Sequence, residues 1–154
     1  MPDSGKQIGC TCFELRKVAR TVTRLYDQHL AAAGLRTTQF SLLRWIAHAP
    51  LPVAVLAART NTERTTLTRN LKPLIDAGWV VLKPGADARQ RIVTITPAGR
   101  RVADAAVAAW QSAQAELERA LGVDAVRALH AQLHATLNGI QPLLERNASD
   151  EPDY

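Results

Sequence analysis

The stretch from Trp79 to Gly99 is the feature that most restricts how this chain can fold. Residues 79–82 are apolar and favour a strand, and residues 91–96 alternate between apolar and polar side chains. Because a proline and a glycine lie between these two segments, the pattern predicts a β-hairpin. Pro97 suits the first turn of a helix, so the second strand is expected to lead directly into a helical segment.

The other segments have the spacing of amphipathic helices, with apolar residues recurring every three or four positions. Either Thr37 or Thr38 is expected to cap the second helix, and Gly78 is expected to end the fourth. Pro73 lies inside the fourth helix and predicts a kink there. The predicted helices cover residues 12–33, 37–49, 53–59, 63–77, 97–121 and 126–144.

The order of these elements indicates a fold class. A helix, a short helix, a turn, a further helix and a hairpin follow one another, which predicts a winged helix-turn-helix. The fold is therefore expected to be mainly α with a small β-hairpin wing. Residues 37–97 form the predicted winged-helix region of a single domain that spans residues 1–154.

Basic residues are concentrated in the middle of the chain. Between Arg59 and Arg101 there are nine Lys or Arg and three Asp or Glu, a net charge of +6, whereas the whole chain carries +5. A basic centre with near-neutral ends is typical of a protein that binds nucleic acid. Together with the winged helix, this charge predicts that residues 37–97 bind double-stranded DNA.

The helix after the turn is the one that enters the major groove in helix-turn-helix proteins, with its N-terminal end first. Leu67 and Leu71 have the spacing of inward-facing residues, which leaves polar side chains directed outward. Arginine suits guanine edges, and threonine suits thymine methyl groups or phosphates. The candidate DNA-binding residues on this helix are Arg64, Thr65, Thr66, Thr68, Arg69 and Asn70.

The tip of the hairpin carries a second set of candidate DNA-binding residues, namely Asp87, Arg89 and Arg91. Guanidinium groups on a narrow tip fit a minor groove, whose negative potential is strongest at A·T-rich steps. Asp87 is expected to brace Arg89 through a bidentate ion pair. The alternative is a charged hairpin tip that only keeps the protein in solution.

Two helical regions flank the winged helix. Residues 12–34 and 98–146 have apolar faces that a small winged helix cannot cover alone, which predicts dimerisation helices. The acidic residues 147–154 are expected to be disordered. Neither a membrane-spanning run nor a signal peptide is evident, so we expect a cytoplasmic protein without a membrane partner, located at the nucleoid when it is bound to DNA.

Several short motifs resemble those of the MarR (multiple-antibiotic-resistance regulator) family of winged-helix repressors, over residues 12–145. The resemblance implies a homodimer in which the N- and C-terminal helices of two subunits interlock. It also implies repression at a palindromic operator, with two recognition helices about one helical turn (~34 Å) apart. The matching motifs are Leu56-Ala57, Arg64 to Arg69, Leu74 with Gly78, Asp87-Ala88-Arg89, and Ile95-Thr96 with Gly99.

The Cys-Phe-Glu-Leu segment that begins at Cys12 resembles the sensor motif of the organic-hydroperoxide regulators (OhrR), a MarR subgroup. In that subgroup two tyrosines hydrogen-bond to the reactive cysteine. The first corresponds to Tyr26, whereas the second corresponds to Thr37. Cys12 and Tyr26 are about 21 Å apart along one helix, so they can meet only across a dimer.

Cys12, Cys10 and Tyr26 are therefore the candidate redox residues. The start of a helix favours the thiolate, which is the form that reacts with oxidants. Cys10 is able to condense with an oxidised Cys12, although a Cys-x-Cys disulfide is geometrically tight. The alternative is that Cys12 is a small buried side chain at a dimer contact.

Family members also respond to small aromatic compounds, acyl-CoA thioesters or metals, which implies an effector for this chain. The candidate pocket residues for an aromatic effector are Tyr26, His29, Trp45 and His48, and ordinary core positions are the alternative. A metal-responsive regulator is a further alternative. His130 and His134 have a ligand-like spacing, but no third ligand is evident and no metal site is assigned.

No motif indicates an enzyme or a bound cofactor. The sequence lacks an evident Ser/His/Asp set, a glycine-rich phosphate loop or a pair of carboxylates placed for acid–base chemistry. The leading interpretation is a dimeric transcriptional repressor that an aromatic effector or cysteine oxidation releases from its operator. The alternative is a constitutive DNA-binding module that responds to no effector.

Overall fold

The computed structural model describes residues 9–87 and 89–149, which form two compact units divided after Ala113. The described chain is mainly helical, with one small antiparallel sheet. The helices are α1 (Thr11–Leu30), α2 (Thr37–His48), α3 (Val53–Arg59), α4 (Arg64–Asp76), α5 (Pro97–Ala105), α6 (Val107–Leu121) and α7 (Val123–Ser149), and the strands are β1 (Leu51–Pro52), β2 (Val80–Pro84) and β3 (Arg91–Ile95).

The sheet confirms the predicted hairpin and adds a strand that the sequence did not predict. Its order is β1-β3-β2, so β3 is the central strand and pairs antiparallel with both neighbours. Leu51 lies opposite Val93, and both side chains are buried. The strand β1 has two residues, which is too short to show the apolar–polar alternation from which strands are predicted. Pro52 has no N–H to donate, but it is tolerated in β1 because β1 is an edge strand.

The core of the first unit lies between the sheet and helices α2, α3 and α4. Leu67 and Leu71 of α4 are both buried, which confirms the inward face predicted from their spacing. The helix runs through Pro73, where a kink was predicted, and ends at Asp76. The largest fully buried side chains are Leu30, Leu43, Ile46, Leu56, Leu67, Leu71, Leu74, Val80 and Val93.

The start of α2 is stabilised differently from the prediction. Neither Thr37 nor Thr38 caps the helix. Instead, one carboxylate oxygen of Asp27 accepts hydrogen bonds from the backbone N–H and the hydroxyl of Thr37, each at 2.7 Å. Gln39 Oε1 accepts from the Arg36 N–H at 2.9 Å. The first N–H groups of a helix have no partner within the helix. For α2 the acceptors are Asp27 of α1 and Gln39 of its own first turn.

The long helix predicted over residues 97–121 is divided at Ala106 into α5 and α6. The division is slight, since the Ala106 N–H still donates to Val102 and the Trp110 N–H donates to Ala106. Gly122, at φ +91°, lies in the gap between the helices predicted over residues 97–121 and 126–144, and it separates α6 from α7.

The second unit comprises the end of α6 and the whole of α7. The helix α7 reaches Ser149, three residues into the segment that was expected to be disordered. The remaining residues of that segment, 150–154, lie outside the described residues. Among residues 9–87 and 89–149, no helix combines the length and the apolar character needed to cross a membrane.

Candidate nucleic-acid interface

The turn between α3 and α4 is held by short-range hydrogen bonds. Asn61 has a φ of +47°, a left-handed conformation that asparagine tolerates better than most residues. The Thr62 N–H donates to the Ala57 carbonyl at 2.9 Å, and the Thr60 hydroxyl donates to the Leu56 carbonyl at 2.8 Å. These bonds fix the direction in which α4 leaves the turn, so the two helices form a helix-turn-helix.

The first two turns of α4 present a polar surface opposite the buried leucines. Thr66 and Asn70 are half-buried, and the Thr68 hydroxyl donates to the Arg64 carbonyl at 2.9 Å. That bond uses the only hydroxyl proton of Thr68, so its side chain offers an outside group only a methyl and an acceptor. The exposed candidate side chains are Arg64, Thr65, Thr68 and Arg69.

Asp87 braces the wing through the backbone, which corrects the predicted ion pair with Arg89. Its Oδ1 accepts from the backbone N–H of Arg89 at 2.9 Å, and its carbonyl accepts from the Gln90 N–H at 2.9 Å. No carboxylate of the described chain lies within 4.0 Å of the Arg89 guanidinium. An aspartate two residues before a turn N–H forms this Asx turn readily, so the guanidinium stays exposed.

The wing and the recognition helix α4 share a cleft of about 200 Å³. Arg64 is the first residue of α4 and Arg91 is the first residue of β3, and both line this cleft. Arg89 lines it as well. The remaining lining residues are Pro52, Val53, Ala54, Asp87 and Gln90. The structure therefore brings together three of the predicted DNA-binding arginines, from two elements that are separate in the sequence.

A threonine connects the end of α4 to the end of the wing. The Thr96 hydroxyl donates to the carbonyl of Gly78 at 2.8 Å, and its oxygen accepts from the Gly99 N–H at 3.0 Å. Gly78 ends α4 with a φ of +70°. Gly99 packs so tightly that a Cβ there would lie 2.1 Å from the Trp79 carbonyl oxygen. The Thr-x-x-Gly motif thus positions α5 against the winged helix.

The candidate redox residues do not come together within one chain. Cys10 and Cys12 are free, exposed cysteines at the start of α1, whereas Tyr26 is buried near its end. Fourteen residues of helix separate Cys12 from Tyr26 by about 21 Å. Thr37, at the position of the second tyrosine, uses its hydroxyl to donate to Asp27. Cys12 is exposed in the single chain.

Two of the four predicted effector residues line one cleft. Trp45 and His48 lie on α2 and face a cavity of about 330 Å³. Tyr26 and His29 are not among its lining residues. The other lining residues are Phe40, Ser41, Arg44, Val107 and Trp110.

Three aromatic rings shape this cleft. The rings of Phe40 and Trp110 are stacked with their centroids 6.3 Å apart, and the guanidinium of Arg59 lies 5.9 Å from the centroid of the Trp45 ring. Arg44 lies 3.8 Å from a carboxylate oxygen of Asp104. The helical spacing of Phe40, Arg44 and His48 signals this face in the sequence, but no sequence signal points to the packing of Trp110 against it.

The candidate metal ligands of the second unit are exposed. His130 and His134 lie on the surface of α7. Within residues 9–87 and 89–149, no three His, Cys, Asp or Glu side chains are grouped closely enough to hold a metal ion.

Comparison with known proteins agrees with this architecture. Residues 33–90 match the MarR family. The DNA complex of the transcriptional regulator MosR from M. tuberculosis is 38% identical, with a TM-score of 0.75, over 84% of this chain and 97% of that one. A mutant MarR from E. coli complexed with operator DNA is 26% identical, with a TM-score of 0.73, over 80% of this chain and 90% of that one.

A curated relative from Bacillus subtilis (strain 168), the uncharacterised HTH-type transcriptional regulator YwoH, is 29% identical over 84 residues. The aligned part covers 54% of this chain and 61% of the relative. These relatives are transcriptional regulators rather than enzymes. The match to MosR extends over most of both chains. The resemblance to the organic-hydroperoxide subgroup is not confirmed. The chain belongs to the MarR family of winged helix-turn-helix transcriptional regulators.

Proposed function

We propose that this protein is a homodimeric repressor that binds a palindromic operator and leaves it in response to a small aromatic effector or to oxidation of Cys12. The observation that carries the DNA-binding part is the shared cleft between α4 and the wing. Arg64 of the recognition helix and the wing arginines, Arg89 and Arg91, line the same cleft. An arrangement of this kind suits a protein that contacts adjacent grooves of one duplex.

The candidate residues divide into three roles. Exposed side chains at the start of α4 enter the major groove, where Arg69 suits guanine edges. Arg89 enters the minor groove, and Asp87 shapes the turn that presents it. The half-buried Thr66 and Asn70 contribute where the helix meets the groove wall. The full proposed set is Arg64, Thr65, Thr66, Thr68, Arg69, Asn70, Asp87, Arg89 and Arg91.

The dimer is supported by apolar side chains that a single chain leaves exposed. On α7, Leu133, Leu137, Ile140 and Leu144 recur at steps of four, three and four residues and are 41–57% exposed. On α1, Leu15 and Val18 are 42% and 49% exposed. Contiguous apolar patches of this kind mark protein–protein contacts. A two-fold dimer then places two recognition helices about 34 Å apart on the DNA.

The aromatic effector is supported by the cleft lined by Trp45, Trp110 and Phe40. Ligand sites in proteins are concave and mostly apolar, with a few polar groups that orient the ligand. Here the apolar walls are aromatic, and Arg44 and His48 supply the polar groups. Because α2 packs in the core with α4, a ligand seated on α2 is close in structure to the recognition helix.

The oxidation response is supported by the exposure of the Cys12 thiol at the start of α1. A hydroperoxide oxidises the thiolate to a sulfenate as the O–O bond breaks and the alcohol leaves. Condensation with the thiol of Cys10 then releases water and forms a disulfide. Since both residues lie at the N-terminal end of α1, this bond would change the start of a helix proposed to form the dimer.

An electrophoretic mobility shift on the chain's own upstream promoter tests this proposal, with a random duplex of equal length as control. We expect selective, salt-sensitive binding that salicylate or cumene hydroperoxide weakens. Equal affinity for the two duplexes would refute the repressor. Selective binding that neither compound changes would indicate the constitutive module instead.

A further inference from the structure

The cleft between α4 and the wing is cationic, and its arginines have no carboxylate partner among the described residues. Its three guanidinium groups face one carboxylate, that of Asp87, and one oxygen of that carboxylate already accepts from the Arg89 N–H. Within the described residues, no carboxylate lies within 4.0 Å of the Arg64, Arg89 or Arg91 guanidinium groups. The cleft thus has an excess of hydrogen-bond donors and of positive charge.

Two regular elements, β3 of the wing and the helix α4, form opposite walls of the cleft. Arg91 begins β3, where it pairs with Pro84 of β2. The next residue of β3, Ile92, pairs with Pro52, which itself lines the cleft. Arg64 is fixed at the other side by the first turn of α4. An anion held by both arginines would therefore connect the wing to the recognition helix.

The cleft has room for a phosphate group. Its volume is about 200 Å³, and it is open to the surface of the winged helix. A phosphate group fits such a space, and arginine binds phosphate oxygens through two parallel N–H donors. More than half of the hydrogen bonds between proteins and DNA go to phosphates and sugars, and these contacts set the register of the protein.

We propose that this cleft binds one backbone phosphate of the DNA duplex, held jointly by Arg64 and Arg91. The inference rests on the proposed DNA-binding function and divides the wing arginines into two roles. Arg91 is a phosphate ligand at the root of the wing, whereas Arg89, near the tip, remains available for the minor groove. The phosphate locks the wing against α4, so that one contact positions both DNA-reading elements.

Salt-dependent binding of the full chain to a random-sequence duplex, measured by fluorescence anisotropy, tests the shared phosphate. Arg64→Gln and Arg91→Gln are each expected to lower the affinity about five- to tenfold and to reduce the log–log salt slope by about 1. Because both side chains hold the same phosphate, the double variant should lose at least threefold less affinity than the product of the two single losses.

A matched control uses Arg101→Gln, an exposed arginine of α5 that does not line the cleft. The affinity loss of the Arg91→Gln/Arg101→Gln double variant should equal the product of the two single losses. Far-UV circular dichroism confirms that each variant is folded. If the losses of Arg64→Gln and Arg91→Gln also multiply, or if neither changes the salt slope, the shared phosphate is wrong. A wild-type chain that binds no duplex would overturn it too, whereas loss of promoter selectivity alone contradicts only the repressor.

A second measurement separates the duplex from free phosphate as the ligand. At constant ionic strength, replacing chloride with inorganic phosphate should weaken duplex binding less than twofold, because the duplex phosphate is held by the other contacts as well. If inorganic phosphate lowers the duplex affinity of the wild type tenfold or more but does not lower that of Arg91→Gln, the cleft binds free phosphate instead.

Discussion

The hydroxyl of Thr96 donates a hydrogen bond to the carbonyl oxygen of Gly78 at 2.8 Å, which joins the end of the wing to the end of the recognition helix. The same hydroxyl oxygen accepts from the Gly99 N–H at the start of α5. One side chain therefore pairs with the carbonyl of the glycine that follows α4 and with an N–H that has no partner at the start of α5. The orientation of the wing depends on this residue, although it is not itself a candidate DNA contact.

Replacing Thr96 with valine should destabilise the fold by about 1–2 kcal/mol, because the helix cap and the partner of the Gly78 carbonyl are both lost. The measurement is the free energy of unfolding in urea. Thr94→Val is the matched control, since Thr94 is a half-buried residue of β3 whose side chain makes no hydrogen bond in the described structure. Equal stability of the two variants would contradict the role of Thr96.

Replacing Gly99 with alanine should destabilise the fold by about 1–3 kcal/mol, because the added Cβ would lie 2.1 Å from the Trp79 carbonyl oxygen and force the backbone to shift. Gly139→Ala provides the comparison. Gly139 lies in α7 with nothing within 4 Å of a Cβ, so alanine there should stabilise by about 0.5–1 kcal/mol. Thermal unfolding of the two variants should give shifts of opposite sign.

Asparagine at position 87 should preserve DNA affinity, whereas alanine should lower it. The structure shows Asp87 accepting from the backbone N–H of Arg89, and the carbonyl oxygen of an asparagine side chain can accept the same bond. Anisotropy titrations of Asp87→Asn and Asp87→Ala with promoter DNA decide the matter. If both variants lose affinity equally, the charge of Asp87 matters rather than the turn.

Replacing Arg89 with alanine should weaken binding to the promoter by about 1–3 kcal/mol and relax its preference for A·T-rich steps, because the minor-groove contact is removed. Competition between duplexes with A·T-rich and G·C-rich flanks measures this preference. Unchanged affinity and unchanged preference would place Arg89 outside the interface.

The Cys12→Ser variant should bind promoter DNA like the wild type and should keep that affinity in cumene hydroperoxide. The serine hydroxyl is isosteric but is not oxidised to a sulfenate. Cys10→Ser separates the steps, since it should still form the sulfenate at Cys12 but no disulfide within the chain. If Cys12→Ser is released by the peroxide as readily as the wild type, Cys12 is not the sensor.

Replacing Leu137 with glutamate should convert the dimer to a monomer and lower operator affinity by more than tenfold. A buried, unpaired carboxylate at an apolar contact is costly, and half of the operator contacts are lost with the partner. Gln132→Glu adds the same charge at another exposed position of α7 and should leave the dimer intact. Sedimentation equilibrium gives the mass of each variant.

Much of the DNA-reading part of the fold was determined by the sequence itself. The spacing of Leu67 and Leu71 predicted the inner face of α4, Gly78 marked the end of that helix, and the strand pattern on either side of Pro84 predicted the wing. These features are local, because helical and strand periodicities and turn chemistry depend on residues that are close in the chain.

Only the tertiary structure decided which distant residues meet. It paired Leu51 with Val93 in a strand too short to be predicted, gave the start of α2 a cap from Asp27, and exchanged the expected ion pair of Asp87 for a backbone contact. It also placed Arg64 in one cleft with Arg91, which lies 27 positions later in the sequence. Such pairings follow from packing between elements, and no periodicity along the chain encodes them.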